Sequence, residues 1–135
     1  IYESLIIKPK EILKSRDYIL VYENEDQIKN IKIDKELFDK KNIDPGGVVI
    51  TAKGKNSDFV SRYFVPQCSF FEDPVTGSTH CSLVPYWSKK LGKQKLTSMQ
   101  LSERGGEMFC IDKGDRVLIN GKAQTYSVGE VFLKN

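Results

Sequence analysis

One stretch of this chain, from about Ser78 to Leu91, carries the apolar spacing of a helix, and almost everything around it reads as strand. Leu83, Val84, Trp87 and Leu91 keep helical spacing, while Cys81 and Tyr86 fill other directions, so the first turns are apolar nearly all round and predict a buried helix. Gly92 supplies the stop. Pro85 is expected to kink the helix and leave the Cys81 carbonyl without its usual partner. Before this helix, Tyr18–Tyr22, Val48–Thr51 (behind Gly46-Gly47) and Phe59–Val65 read as strands; in the last, Phe59, Ser61 and Tyr63 alternate with Val60, Arg62 and Phe64. After it, Leu96–Ser102, Glu107–Ile111, Arg116–Ile119 and Ala123–Leu133 read as a meander. Asn120-Gly121 is its strong hairpin signal, Lys113-Gly114-Asp115 a weaker one, and Gly105-Gly106 a bulge or sharp bend. Pro9–Leu13 suggests one helical turn, and Asp34 caps a helix over Lys35–Lys41 with Leu37 and Phe38 inward. A buried helix amid about six or seven strands predicts an α+β fold, a curved and mostly antiparallel sheet wrapped around a central helix.

At 135 residues the chain suits one domain, 1–135, with a real core. Its net charge of +3 is spread out. A nucleic-acid surface needs clustered basic residues interleaved with aromatics, and the one local cluster, Lys89 to Lys95, suits the solvated C-terminus of a helix. No apolar run approaches the ~18 residues that cross a bilayer. The three cysteines, Cys68, Cys81 and Cys110, are widely spaced and show no metal-site pattern, so reduced thiols in a cytoplasmic protein are expected. The chain opens on Ile1, which predicts that it is a piece of something longer.

Chemistry concentrates in Glu72-Asp73-Pro74-Val75-Thr76-Gly77-Ser78-Thr79-His80-Cys81. This segment sets an acid, a tight glycine turn, hydroxyls and the only histidine at the predicted helix start. Unpaired N–H groups and the partial positive charge there suit a carboxylate or phosphate, and an acid beside such an anion can move a proton on it. Each residue also has a plainer reading. Asp73 before proline suits a turn. Thr76 and Ser78 suit helix caps, a role of roughly 1 kcal/mol. His80 is either a hydrogen-bonded core residue or a proton relay. Cys81 reads as core packing, as do Tyr86 and Trp87. Arg62, Gln100 and Arg104 are either exposed or part of a buried network supporting the motif loop.

Asp58-Phe59-Val60-Ser61-Arg62-Tyr63-Phe64-Val65-Pro66, the ten-residue motif, Pro85-Tyr86-Trp87 and Gln100-Leu101-Ser102-Glu103-Arg104-Gly105-Gly106 follow one another at suitable spacing. From about Leu20 to Val131 the chain thereby resembles the C-terminal half of the PhzF-like proteins, the phenazine-biosynthesis isomerase family, which shares the diaminopimelate-epimerase fold. The resemblance implies two similar halves, each a sheet around a central helix, with the active site between them. It also implies cofactor- and metal-free proton transfer next to a carboxylate. Asp73 then matches the acid of the second half, and Gly77 and Ser78 match positions that hold the substrate carboxylate, with Thr76 and His80 beside them. Thr79 stands where alanine is usual, and Cys68-Ser69-Phe70 replaces smaller residues. Nothing here matches the family's Glu-x-x-x-Cys-Gly-His segment, which carries its principal acid/base glutamate.

The sequence therefore predicts part of a cofactor-independent isomerase or epimerase of a small carboxylic acid, inactive without the N-terminal half. The alternative is a non-catalytic small-anion-binding or interaction module with the same fold. Neither reading involves a metal, nucleic acid or membrane, and the expected partner is a second copy or the absent half.

Overall fold

The computed structural model describes residues 7–40, 46–66 and 68–133. Eight strands form one sheet: β1 (Glu11–Lys14), β2 (Tyr18–Val21), β3 (Val48–Lys53), β4 (Phe59–Phe64), β5 (Glu72–Asp73), β6 (Lys95–Gln100), β7 (Gly106–Asp112) and β8 (Val117–Gly121). Their order is β1-β2-β3-β4-β6-β7-β8, with β5 paired beside β4. Pairing is antiparallel except for β2 with β3 and β4 with β6. Three helices accompany the sheet among the described residues: α1 (Glu25–Asn30), α2 (Lys35–Asp39) and α3 (His80–Leu91). The class is α+β, with a mixed and mostly antiparallel sheet.

Side-chain alternation sorts the core into two layers. On one face Leu20, Ile50, Val60 and Phe64 pack with Ile28 of α1 and Phe38 of α2. On the other, Val49, Phe59, Tyr63 and Leu96 pack with Leu83, Val84 and Trp87 of α3. The alternation read in Phe59–Phe64 is thus real, and it decides which strand residues reach the motif. Helix α3 touches both ends of the sheet. Tyr86 and Lys90 hydrogen-bond Glu11 of β1, and Val117 and Ile119 of β8 pack against the cluster containing α3. No helix among the described residues is long and apolar enough to cross a membrane.

Several local expectations hold. Asp34 caps α2 by accepting from the Leu37 amide, and Gly92 ends α3 in the left-handed region at φ 66°. Lys113–Arg116 forms the β7–β8 turn, with Gly114 at φ 87°. The Lys41 end of the expected second helix lies outside the described residues.

Others fail for identifiable reasons. Residues Glu11–Lys14 form a strand rather than a helical turn, because β2 offers an open edge from Tyr18 to Val21; tertiary pairing outweighs weak local propensity. Helix α1 was invisible to apolar spacing, since only its Ile28 is a buried apolar residue. Its readable signal was the cap, where Asn24 accepts from the Gln27 amide and Gln27 accepts from the Glu23 amide. Asn120 and Gly121 lie inside β8, opposite Phe109 and Met108, and make no hairpin. The strand expected over 123–133 does not form: residues 122–133 are exposed and carry no strand, although β8 ends the sheet and leaves its outer edge open. Helix α3 is one-sided, with Cys81 and Pro85 exposed and Tyr86 half-buried, so Cys81 is not core. The helix runs on through Pro85 to Leu91.

Gly106 links the sheet to the motif. A Cβ there would lie 2.3 Å from Val75 Cγ2, inside the loop that precedes α3. Val75 is β-branched and stiff, so it has little room to yield. Gly106→Ala should therefore cost about 1–3 kcal/mol in chemical unfolding, whereas Gly121→Ala, whose Cβ would meet nothing within 4 Å, should cost well under about 1 kcal/mol. Equal unfolding midpoints for the two variants would refute this contact.

Candidate functional site

The motif leaves β4 through the two-residue strand β5, where Asp73 pairs with Tyr63 and Glu72 with Phe64. Period-two alternation then separates two adjacent acids. Glu72 turns to the α1 side and forms a two-pronged ion pair with Arg62, Nε to Oε1 at 2.7 Å and Nη2 to Oε2 at 2.8 Å. Arg62 also donates to the Ile28 carbonyl at 3.2 Å. Glu72 is therefore a structural anchor. Asp73 turns the other way, and its Oδ2 accepts the Thr76 hydroxyl at 2.6 Å.

The loop between Asp73 and α3 is held by its backbone. Gln100, only 1% exposed, accepts the Thr76 amide at 2.8 Å through Oε1. Through Nε2 it donates to the Asp73 carbonyl at 2.7 Å and to Thr76 Oγ1 at 3.2 Å. The Ser102 hydroxyl donates to the Pro74 carbonyl at 2.6 Å and accepts the Gly105 amide at 3.1 Å. The Thr76 carbonyl accepts from the Thr79 hydroxyl and from His80 Nδ1, both at 3.0 Å. Gln100 and Ser98 share one face of β6, so of the three polar residues singled out Gln100 joins a buried network behind the loop, Arg62 instead anchors Glu72, and Arg104 is exposed. Ser98 and Ser102 were missed; their signal was hydroxyls alternating with apolar residues along and just past a strand.

His80 is wholly inaccessible, and its partners fix its tautomer. A carbonyl only accepts, so Nδ1 carries the proton toward Thr76, and Nε2 accepts the Ser98 hydroxyl at 2.8 Å. Burial pushes the imidazole down to about 4, against a smaller upward pull from the Thr76 carbonyl. The core reading of His80 is therefore the one the structure bears out. Thr76 is buried too, so both residues stand behind the loop rather than on its open side.

Gly77, Ser78 and Thr79 make a tight turn into α3, with the His80 amide donating to the Gly77 carbonyl and the Cys81 amide to the Ser78 carbonyl. Thr79 occupies the cap position without a side-chain cap bond. Neither Thr76 nor Ser78 caps the helix, because Thr76 Oγ1 is engaged by Asp73 and Gln100 while Ser78 lies within the turn. The amides of Gly77 and Ser78 meet no acceptor among the described residues, and both residues are exposed. A Cβ on Gly77 would meet nothing within 4 Å, so packing does not require glycine there. A hollow of about 470 Å³, lined by Glu72, Pro74, Ser102, Glu103 and Arg104, adjoins the loop. No group of three or more His, Cys, Asp or Glu residues that could hold a metal occurs among the described residues.

Comparison with known proteins gives a consistent result. Residues 7–129 match the family described as phenazine biosynthesis-like protein, PhzC-PhzF. An uncharacterized isomerase of Pseudomonas aeruginosa is 42% identical over 132 residues, covering 97% of this chain and 50% of that protein. A crystal structure of a PhzF-family phenazine biosynthesis protein from Enterococcus faecalis superposes with a TM-score of 0.85 at 38% identity, over 97% of this chain and 50% of that one. A phenazine biosynthesis PhzC/PhzF protein from Clostridium difficile gives 0.83 at 44%, over 94% and 49%. The chain spans about half the length of these relatives.

The depressed His80 value has a consequence for stability. The unfolded imidazole takes up a proton near pH 6.5 and the folded one only near 4. Its contribution is therefore present above pH 6.5 and is lost as the pH falls toward 4. From pH 7 to 4.5 the chain should lose about 2–3 kcal/mol through this group. His80→Gln should flatten that part of the profile, leaving the carboxylates to govern lower pH. Identical slopes for the two proteins in chemical unfolding between pH 7 and 4.5 would contradict the assignment.

Proposed function

This chain belongs to the phenazine biosynthesis-like family, and on that premise we propose that it supplies one half of the active site of a cofactor-independent isomerase acting on a small carboxylic acid. One observation carries the reading: a carboxylate held by the buried Thr76 hydroxyl lies seven residues before the start of α3, in the same loop as the free amides of Gly77 and Ser78. Asp73 donates or accepts the proton. The amides of Gly77 and Ser78 and the Ser78 hydroxyl hold the substrate carboxylate, favoured by the dipole of α3. The open space where a Gly77 side chain would stand lets the ligand approach the backbone. The proton leaves a carbon activated by the neighbouring carboxylate and returns at the same or a conjugated carbon, so no net oxidation occurs. A second acid/base group, a glutamate by resemblance, comes from the half this chain does not span.

In this reading the sheet and α3 form one half of a diaminopimelate-epimerase-like fold, with the sheet as a half-barrel around the helix. The exposed side chains of Tyr126, Val128, Val131, Phe132 and Leu133, with Phe70 near the loop, support an association that covers them. The partner is the companion half or, when that is absent, a second copy of this chain.

Two measurements test the proposal. In the complete enzyme, solvent deuterium should enter the substrate beside its carboxylate, and Asp73→Asn should lower kcat roughly 10²–10⁴-fold; full activity in Asp73→Asn would remove Asp73 from the mechanism. Sedimentation of the 135-residue chain at micromolar concentration should show species above the 15.4 kDa monomer. A clean monomer would refute the association.

A further inference from the structure

The hydrogen bonds behind Asp73 have directions that can be deduced, and those directions distinguish its two oxygens. A backbone amide only donates, so the Gln100 atom 2.8 Å from the Thr76 amide is the oxygen. The other end of Gln100 is then the NH₂ group, and its contact with the Asp73 carbonyl at 2.7 Å agrees, since a carbonyl only accepts. The same NH₂ lies 3.2 Å from Thr76 Oγ1 and has only protons to offer. The Thr76 hydroxyl therefore accepts from Gln100 and turns its own proton to Asp73 Oδ2 at 2.6 Å. Asp73 Oδ1 has no hydrogen-bond partner among the described residues.

We propose that Thr76, oriented by Gln100, is a positioning residue that commits Oδ2 of Asp73 to accepting a hydrogen bond and makes Oδ1 the oxygen that carries the transferred proton. A proton on Oδ2 would face the Thr76 hydroxyl proton, which has no alternative acceptor beside it because Gln100 presents NH₂ there. When Asp73 acts as an acid, the O–H bond of Oδ1 breaks and its electron pair stays on the carboxylate. When it acts as a base, the substrate C–H pair stays on the substrate and the new O–H forms at Oδ1. Thr76 is accordingly not a substrate contact, in keeping with its burial. This inference rests on Asp73 being the proton-transfer group, as proposed above.

The first test needs no turnover. In the ¹³C-labelled 135-residue chain in mixed H₂O and D₂O, a slowly exchanging Thr76 hydroxyl should split the Asp73 carboxyl carbon into two isotope-shifted lines. The splitting should persist in Thr76→Ser, vanish in Thr76→Val, and collapse in Gln100→Met as the released hydroxyl exchanges faster. A single Asp73 line in the unmodified chain would overturn the commitment of Oδ2, and splitting retained in Gln100→Met would overturn the role of Gln100. The second test uses the complete enzyme. Thr76→Val should lower kcat roughly 10- to 100-fold with KM unchanged, and Thr76→Ser should restore it. A raised KM at unchanged kcat would make Thr76 a substrate contact and overturn the proposal. Failure of the underlying reading looks different: Asp73→Asn would be fully active while the splitting pattern stayed intact, which would overturn the assignment of Oδ1 as the reacting oxygen and leave the hydrogen-bond directions standing.

Discussion

The peptide groups on either side of Thr76 tie this structure together. The Thr76 amide goes to Gln100 of β6, and its carbonyl goes to His80 of α3 and to Thr79. One residue thus joins the sheet to the helix, and both neighbours are buried, where an unmade hydrogen bond costs about 1–3 kcal/mol. His80 passes the link on to Ser98, two residues before Gln100 on the same strand face. The loop carrying Asp73 is therefore fixed by a closed circuit of buried polar groups, each satisfied, which is the condition under which such networks rigidify a core. Its outer side, at Gly77 and Ser78, is left without internal partners. A rigid back and an open front suit a site meant to meet a ligand.

Adjacent acids with different partners show how little local composition says about a side chain's surroundings. Glu72 and Asp73 differ by one methylene, yet strand alternation sends Glu72 into the Arg62 fork and Asp73 to the Thr76 hydroxyl. Nothing in the pair itself announces which is the anchor. The parity comes from β5 pairing with β4, a two-residue ladder too short to give any periodic signal of its own.

Where the sequence was legible, local chemistry and final environment agree. Phe59–Phe64 alternates because each face meets a different cluster, Asp34 caps because its side chain reaches the Leu37 amide, and Gly92 tolerates a left-handed turn. The motif before α3 was legible as a candidate site, and in it Asp73 bonds Thr76, which directly precedes the exposed, unpartnered amides of Gly77 and Ser78. What could not be read depended on distant partners. β1 needs β2, α1 announces itself only through a cap, and residues 122–133 pair with no strand whatever their local pattern. The resemblance set His80 and Thr76 beside Gly77 and Ser78 as ligand contacts, while their residue types also suited a core histidine and a helix cap. Their burial depends on Ser98 and Gln100, residues that sequence distance hides.

The pairing of β4 with β6 brings Phe59 beside Ser98 and Ser61 beside Gln100, across a connection that contains the whole motif and α3. On β6, Leu96, Ser98 and Gln100 face α3, while Met99, like Leu101 just beyond the strand, lies on the α1 side. A slip of one residue would invert that order, as it does for any strand with period-two side chains. Gln100 and Ser98 would then point among the aliphatic residues of the opposite layer, and Met99 would press on His80. The Thr76 amide and the imidazole would be stranded together. The polar circuit behind Asp73 thus acts as a key that admits only one alignment of the sheet's central parallel pair, so the chemistry of the loop and the choice of register stand or fall as a unit.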